Sequence, residues 1–552
     1  MSSASDQYVV NDVLTDSDKE IFFKQKRWNY VVDSSSTGGV FPQQIQFNLN
    51  TVGAMGNFVN LKEAYVQYPY RVRIFNSGSG AQTPASAGVL STAFKNGFWH
   101  TIDSAQLILD NETINMNQKY TNIPAHFQAL TSWNEDALSE LGATLGLYTL
   151  DDFPAVGASA GFNNVGINTL IPNTKGFDLT TTANTSIPLR QYEQNVDCAT
   201  ATTALNYIAG ATNARLSGKS SVQAGGATST AVNADCYIQF VLITVRLRDI
   251  CPAVEKLPPI QNLTGMLYIN HNSARNTFTT SSTSTISAWN YSTISGSSMP
   301  VQLLNVATTG FQPASGAPNT WTLEASVSGV PSSNLTTAQP PINYGRLVFS
   351  YYEPNPDVQS AMSISKSIRY NERFNNYFNI SANGSFSGTI TPGLPNVKGL
   401  LLVPFYTSTT NQAGTGTVSY DPLTSPFEVA PASTSVLPVL KNLQVIYGNQ
   451  PVFTQPVNMS YELFLNEIAQ LGLDGGQNNM SVSGILNERT WSNLYRYHYI
   501  ELSRRVISDE NQSKSIQVSV ENGTAFPMNV LAFVFYEKEF TVDCSTGKVS
   551  RG

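Results

Sequence analysis

Three stretches of the chain alternate polar and apolar residues with a period of two. They are Gln44–Ile45–Gln46–Phe47–Asn48–Leu49–Asn50, Ile243–Thr244–Val245–Arg246–Leu247–Arg248 and Ser515–Ile516–Gln517–Val518–Ser519–Val520–Glu521. That period places one face of an extended strand on a core and the other in water. Turn-forming clusters separate such runs: Asn76–Ser77–Gly78–Ser79–Gly80, Thr391–Pro392–Gly393 and Asp474–Gly475–Gly476. Helical spacing is sparse. It is clearest over Ser460–Leu471, where Tyr461, Phe464, Leu465, Ile468 and Leu471 form one stripe, Ser460 fits an N-cap and Gly472 a stop. A second helix is predicted where Ile123, Phe127, Leu130 and Trp133 recur at the same spacing. The chain is therefore expected to be mainly β with a few short helices.

A weak duplication organises these elements. Leu107–Ile108–Leu109–Asp110–Asn111–Glu112–Thr113–Ile114 reads as strand, turn and strand restart, followed by the helix around Phe127. Leu443–Gln444–Val445–Ile446–Tyr447–Gly448–Asn449–Gln450–Pro451–Val452 is followed at similar spacing by the helix from Ser460. Each block is preceded by a Pro-containing apolar strand, Tyr65–Val72 and Leu400–Tyr406, and each half closes alike, with Leu347–Glu353 and Leu531–Glu537. Two β units of one plan follow. A unit of about eight short strands and roughly 200 residues has the size of a jelly roll, two sheets folded over one core. The expectation is an N-terminal segment 1–29, a first jelly roll 30–355 and a second 356–552, joined at Glu353–Pro354–Asn355–Pro356–Asp357.

Composition sharpens this. Of 552 residues only 12% are charged, against 41% hydrophobic, about half the usual ~25% of charged residues. The apolar content excludes whole-chain disorder. Apolar runs such as Val530–Tyr536 fall far short of the ~18 residues of a spanning helix. The balance of 31 basic and 38 acidic residues, a net charge of −7, argues against nucleic-acid binding by bulk charge. Two stretches, about 155–235 and 272–340, are poor in charge and rich in small polar residues, and no charged residue lies between Arg275 and Glu324. Trp289, Tyr291, Leu303, Leu304, Val306, Phe311 and Trp321 interrupt the second, so these stretches read as long ordered excursions of the first unit rather than solvated linkers. Few charges make a surface cheap to desolvate against other copies. The start, Met1–Ser2–Ser3–Ala4–Ser5–Asp6, has neither a basic nor an apolar region of a secretory signal. Cys198, Cys236, Cys251 and Cys544 are widely spaced, which predicts reduced thiols and folding in a reducing compartment.

Chemistry-bearing motifs nearly form and then fail. Gly157–Ala158–Ser159–Ala160–Gly161 matches G-x-S-x-G, but it lacks the preceding strand and following helix of a nucleophile elbow. Gly218–Lys219–Ser220 ends like a phosphate-binding loop, yet Asn213 stands where the first glycine is needed. His100, His126, His271 and His498 have no paired spacing for zinc. Glu135–Asp136 and Asp151–Asp152 read as helix caps or turns, and Asp474–Gly475–Gly476 as a tight turn. No catalytic, cofactor-binding or metal-binding residue is expected, and the chain is not expected to be an enzyme. One basic cluster, Lys24, Lys26 and Arg27 beside Phe22, Phe23 and Trp28, has two readings: an inward grip on a partner, or a packed strand edge with snorkelling side chains.

The chain also resembles a known family. Asn60–Leu61–Lys62–Glu63–Ala64–Tyr65, Val245–Arg246–Leu247–Arg248–Asp249–Ile250–Cys251–Pro252 with Lys256–Leu257–Pro258, Tyr461–Phe464 through Leu471–Gly476, Tyr499–Arg505 and Phe535–Asp543 carry the likeness. They are similar to stretches of the double jelly-roll major capsid proteins of tailless icosahedral double-stranded DNA viruses, the lineage that includes adenovirus hexons. The likeness is greatest to those of polinton-like viruses and virophages. It spans nearly the whole chain, and 155–235 is the part least matched. The resemblance implies homotrimeric, pseudo-hexagonal capsomers in the virion, with loop insertions building outer towers. Its implied partners are neighbouring capsomers, penton and minor capsid proteins and, in some members, an internal membrane, without sequence-specific nucleic-acid binding. The competing expectation is a non-enzymatic β-sandwich adhesin or glycan-binding module whose Tyr and Trp side chains stack on sugars.

Overall fold

The computed structural model describes residues 23–53, 56–77, 90–95, 97–147, 193–194, 220–223, 235–280, 286–305, 319–329, 343–355, 364–407, 421, 423–424, 439–469, 484–493, 495–503 and 511–551. In the first half the strands are β1 (Phe23–Val32), β2 (Gln44–Asn48), β3 (Phe58–Asn76), β4 (Leu90–Phe94), β5 (Ile102–Leu109), β6 (Glu112–Asn115), β7 (Glu193–Gln194) and β8 (Ser220–Gln223). They continue with β9 (Asp235–Arg246), β10 (Gly265–His271), β11 (Ser273–Thr280), β12 (Ile286–Ser295), β13 (Val301–Asn305), β14 (Asn319–Val327) and β15 (Arg346–Pro354). The second half holds β16 (Ser365–Ile380), β17 (Ser385–Leu394), β18 (Val397–Tyr406), β19 (Leu440–Tyr447) and β20 (Gln450–Pro451). After these come β21 (His498–Glu501), β22 (Lys514–Asn522), β23 (Met528–Asp543) and β24 (Val549–Arg551).

The second half pairs as β16-β23-β18-β21 facing β17-β22-β19-β20, all antiparallel. Numbered within the unit, its eight strands run 1-8-3-6 in one sheet and 2-7-4-5 in the other, which is the jelly-roll order. The first half repeats it. β1-β15-β3-β9 forms one sheet and β2-β10-β5-β6 the other. Each of the four sequence repeats falls on equivalent strands: β3 with β18, β5–β6 with β19–β20, the helices that follow them, and β15 with β23. The fold is a mainly β double jelly roll.

β3 shows how the first roll carries its excursion. It has 19 residues, roughly 60 Å at about 3.3 Å per residue. β15 pairs with its first half, Phe58–Gln67, and β14 continues along the same edge at Tyr70–Asn76, with β9 on the other edge. β11 and β12 then extend the sheet beyond β14. Inward side chains along β3, including Val66, Tyr68, Tyr70, Val72 and Ile74, are buried throughout, and Trp321 and Leu323 of β14 belong to the same core. Of the charge-poor stretch 155–235, only β7, β8 and the first residue of β9 are described.

Element ends follow local chemistry. The helix near the second repeat spans Tyr461–Ala469, capped by the Ser460 hydroxyl, which accepts from Leu463 N–H at 3.2 Å; Leu471 and Gly472 lie outside the described residues. Its counterpart spans Asn122–Ser132. The alternation of Ile243–Arg248 predicts a longer strand than is found. β9 ends at Arg246, whose guanidinium donates twice to Asp249 at 2.8 Å, and Leu247–Ile250 turns helical. Likewise β2 stops at Asn48, because the Asn48 side chain accepts from Asn50 N–H and starts the helical turn Asn50–Gly53.

Candidate functional site

The two rolls are joined by side chains from each buried in the other. Helix Asn122–Ser132 buries apolar groups on two faces. Ala125 and Ala129 belong to the first core, whereas the larger Ile123, Phe127 and Leu130 belong to the second. Phe127 stacks on Tyr499 at a centroid distance of 6.0 Å and meets Tyr497 edge-on at 5.3 Å. It thus covers the outer face of β16-β23-β18-β21, where Asn375, Phe533, Leu401 and Tyr499 form one cross-strand row. At the rim of that face Arg373 donates to Gln128 of the helix at 3.2 Å. In return Ile368, Tyr370, Phe540, Val542 and Val549 of the second half join the first core.

Polar contacts fix the same seam. The Tyr370 hydroxyl donates to the Ile114 carbonyl, and Glu372 accepts from Met116 N–H at 3.2 Å. Burial raises the Glu372 pKa, opposed by the Arg373 N–H and by Lys538, which lies 3.6 Å from the carboxylate. Further along, Arg551 pairs with Glu112 at 2.8 Å, and Gln261 N–H donates to the Cys544 carbonyl at 2.8 Å. Gly484 sits at φ +68°, and a Cβ there would lie 2.4 Å from the Leu130 carbonyl oxygen. Ile485 N–H bonds that carbonyl at 2.9 Å, so close approach and backbone shape both require glycine.

The base of the excursion is tied down as firmly. The charge-free run begins and ends on cross-strand partners, Arg275 of β11 and Glu324 of β14. Glu324 is buried and also meets Arg71 at 2.7 Å and Arg73 at 2.9 Å. Burial alone would raise its pKa. Hydrogen bonds and charge from Arg73, with Arg275 and Arg71, outweigh that and hold the carboxyl below its ordinary range. Asn272, fully buried, accepts from Ser297 N–H at 2.9 Å and donates to the His100 carbonyl at 3.0 Å.

With this geometry in place, comparison with solved structures returns viral capsids. The chain is similar over 98% of its length to 91% of a chain in the structure of the Sputnik virophage, at 11% identity and TM-score 0.48. Over 95% of its length it is similar to 90% of the mavirus major capsid protein, at 11% identity and TM-score 0.45. Over 98% it is similar to 99% of a chain of the PBCV-1 virus capsid, at 6% identity and TM-score 0.41. No family model matches the chain, and no curated protein does. The fold stands on the strand order itself.

The residues singled out in the sequence fall into place unevenly. Of the basic cluster, Phe22 lies outside the described residues and the rest lies on β1, where Phe23 and Lys26 are partly buried and Lys24, Arg27 and Trp28 are exposed. Lys26 pairs with Glu63 at 2.7 Å and sits over the Trp28 and Tyr352 rings, and Arg27 lies 3.7 Å from Glu353. Glu135–Asp136 opens helix Glu135–Leu145, capped by Asn134. Gly157–Gly161, Gly218, Lys219, Asp151–Asp152 and Asp474–Gly476 lie outside the described residues. Cys251 and Cys544 are free, buried thiols with pKa values raised by burial.

Two of the four histidines meet, which their 26-residue separation conceals. His100 Nε2 lies 3.1 Å from His126 Nδ1, with Asn122 Nδ2 2.9 Å from His100 Nδ1. His271 bridges Ser273 and the Pro42 carbonyl, and burial lowers its pKa to about 4. Burial, then the Arg496 charge, lowers that of His498 to about 3. Among the described residues no group of three or more His, Cys, Asp and Glu side chains could hold a metal ion. The seam itself is what the sequence failed to announce. Its one signal was a helix apolar on two faces, which a helix packed on a single sheet does not need.

Proposed function

We propose that the chain is a structural major capsid protein, without catalytic activity, that assembles as homotrimers and tiles an icosahedral viral shell. The observation that carries this reading is two complete jelly rolls of identical strand order, locked together by a helix shared between their cores. Such a block presents two similar lobes, so three copies can close a six-lobed ring. The low charge of the chain favours the reading, since obligate interfaces bury more than ~2,000 Å² and each buried ion needs a partner. Modest contacts suffice when many act together in a closed assembly.

In this reading the first unit starts at residue 23, because β1 supplies its first strand, and runs to 355; the second follows from 356. The excursions 155–235 and 272–340 form the outer tower. Penton and minor capsid proteins, and any membrane beneath the shell, are partners of the assembled particle, and the protein resides in the virion. Size-exclusion chromatography with light scattering tests the reading. A particle of about 180 kDa, three chains of 59.9 kDa, is expected; a stable monomer would count against it and favour a glycan-binding module.

A further inference from the structure

The chain has four histidines, and all are buried: His100, His126, His271 and His498 are 3%, 0%, 4% and 1% exposed. A buried imidazole resists charging, so each ring couples the fold to pH. The four differ in what they join. His271 bonds Ser273 and the Pro42 carbonyl within the first roll, and His498 lies against Trp491 within the second. His100 and His126 instead meet across two elements. His100 belongs to the turn Phe98–Thr101 of the first roll, and His126 to the helix Asn122–Ser132, whose larger apolar side chains lie in the second core. The Asn272 amide holds the His100 carbonyl at 3.0 Å from one side, and the Tyr495 ring of the second roll stands 5.4 Å from the His126 ring on the other. The pair therefore sits where the base of the excursion, the shared helix and the second roll converge.

Asn122, His100 and His126 form a line with one proton for each link. The buried Asn122 amide donates to His100 Nδ1 at 2.9 Å. The proton of the neutral His100 ring then sits on Nε2 and is donated to His126 Nδ1 at 3.1 Å. Reversing the Asn122 amide accommodates one added proton. A second puts N–H against N–H between the rings and buries two cations in contact. The surroundings offer no counter-charge. Neither the turn nor the helix carries a charged residue of its own, and Lys119, just before the helix, is exposed. Among the described residues no carboxylate or thiol completes a three-membered cluster with the rings. Charged groups on the elements packed around them are engaged with one another. Asp103 of β5 accepts from the Ser297 hydroxyl, Arg246 of β9 bonds Asp249, and Arg248 lies 3.7 Å from Glu255. Asp136 and Glu140 of helix Glu135–Leu145 are exposed. The second roll brings cations, Arg496 beside Tyr495 and Arg373 bonded to Gln128 of the same helix.

We propose that the His100–His126 pair is an acid-sensitive latch: at neutral pH it fastens the shared helix to the first roll, and in mild acid the two rings take up protons together and release it. The released state is local. It frees helix Asn122–Ser132 and the seam it fills, while the sheets of both rolls keep their pairing. Each ring is satisfied only while neutral, so acid favours the state in which both reach water. The block thus carries its own route to loosening in an acidified compartment. The latch belongs to one chain and acts whether or not copies assemble.

The test is hydrogen–deuterium exchange of the full chain at pH 7, 6 and 5, with rates corrected for the pH dependence of free amides. If both rings charge only when the helix lets go, protection of Asn122–Ser132 should fall about 600-fold from pH 7 to pH 5, taking the ordinary histidine value of ~6.5. Protection of β2, β10, β17 and β22 should hold over the same range. His100→Gln combined with His126→Gln removes both titrating rings and should level the helix's response. His126→Phe keeps a ring against Tyr495 and leaves one histidine, so its response should shrink to about 25-fold or less. If neither variant folds, the wild-type profile decides alone. Helix protection that stays constant from pH 7 to pH 5, that falls equally in the four strands, or that falls as steeply in the variants overturns the latch. None of these outcomes depends on the number of copies, so the capsid reading stands or falls separately.

Discussion

Replacing Phe127 by Ala tests whether one helix belongs to both cores. The ring is 1% exposed, and removing a buried Phe costs about 3–5 kcal/mol from lost transfer and the cavity left behind. Area gives the same scale, since an aromatic side chain buries roughly 150–250 Å² at about 25 cal/mol per Å². The expected loss is therefore about 4 kcal/mol, read from the urea midpoint of the full chain. Where it is felt matters more. Phe127 is sequentially in the first roll but touches Tyr497 and Tyr499 of the second, so amide exchange should quicken in β18 and β21 more than in β5 and β10. A double-mutant cycle with Tyr499→Ala should give a coupling of about 1 kcal/mol. A loss below about 1 kcal/mol, or exchange rising only in β5 and β10, would refute the shared-helix account.

Three further outcomes follow from the same geometry. Glu324→Gln leaves three arginines around a neutral side chain; because each is partly wetted, the loss should be about 2 kcal/mol rather than the ~3–5 of a fully buried pair. Since the folded pKa of Glu324 is held low, its contribution is fully present above the unfolded value of about 4.3 and lost as pH falls through the folded one; urea midpoints at pH 5 and pH 3 should converge between variant and wild type, and a constant gap would contradict this. Gly484→Ala drives a Cβ into the Leu130 carbonyl and should cost at least ~1–3 kcal/mol by thermal melt, whereas a neutral result would mean the seam is looser there. His498, neutral when folded with a pKa near 3, takes up a proton on unfolding, so stability should fall from about pH 6.5 toward 3, and His498→Gln should flatten that slope in acid titrations followed by tryptophan fluorescence.

The strand plan was legible because it is written in local pattern. Alternation marked β2 and β22, and the paired repeats marked β3, β5–β6 and β15 against β18, β19–β20 and β23. Those signals survive because each strand must present a fixed face to a core, whatever surrounds it. The alternation over Ile243–Arg248 runs two residues past the end of the strand, since the Arg246–Asp249 pair that ends it belongs to the following turn. The seam was not legible. Phe127 and Tyr499 are far apart in sequence, and an apolar helix looks the same whether its second face meets its own roll or the next one. The histidine pair and the cage of arginines around Glu324 were hidden for the same reason. The cage is assembled by pairing β14 with β3 and β11, and the histidine pair by packing the helix Asn122–Ser132 on the turn Phe98–Thr101, neither of which composition or spacing encodes.

Imaging the purified protein by negative-stain electron microscopy tests the central claim most directly. Class averages should show a threefold particle with six lobes in a hexagonal outline, two lobes from each chain. Isolated two-lobed particles, or filaments that never close, would contradict it.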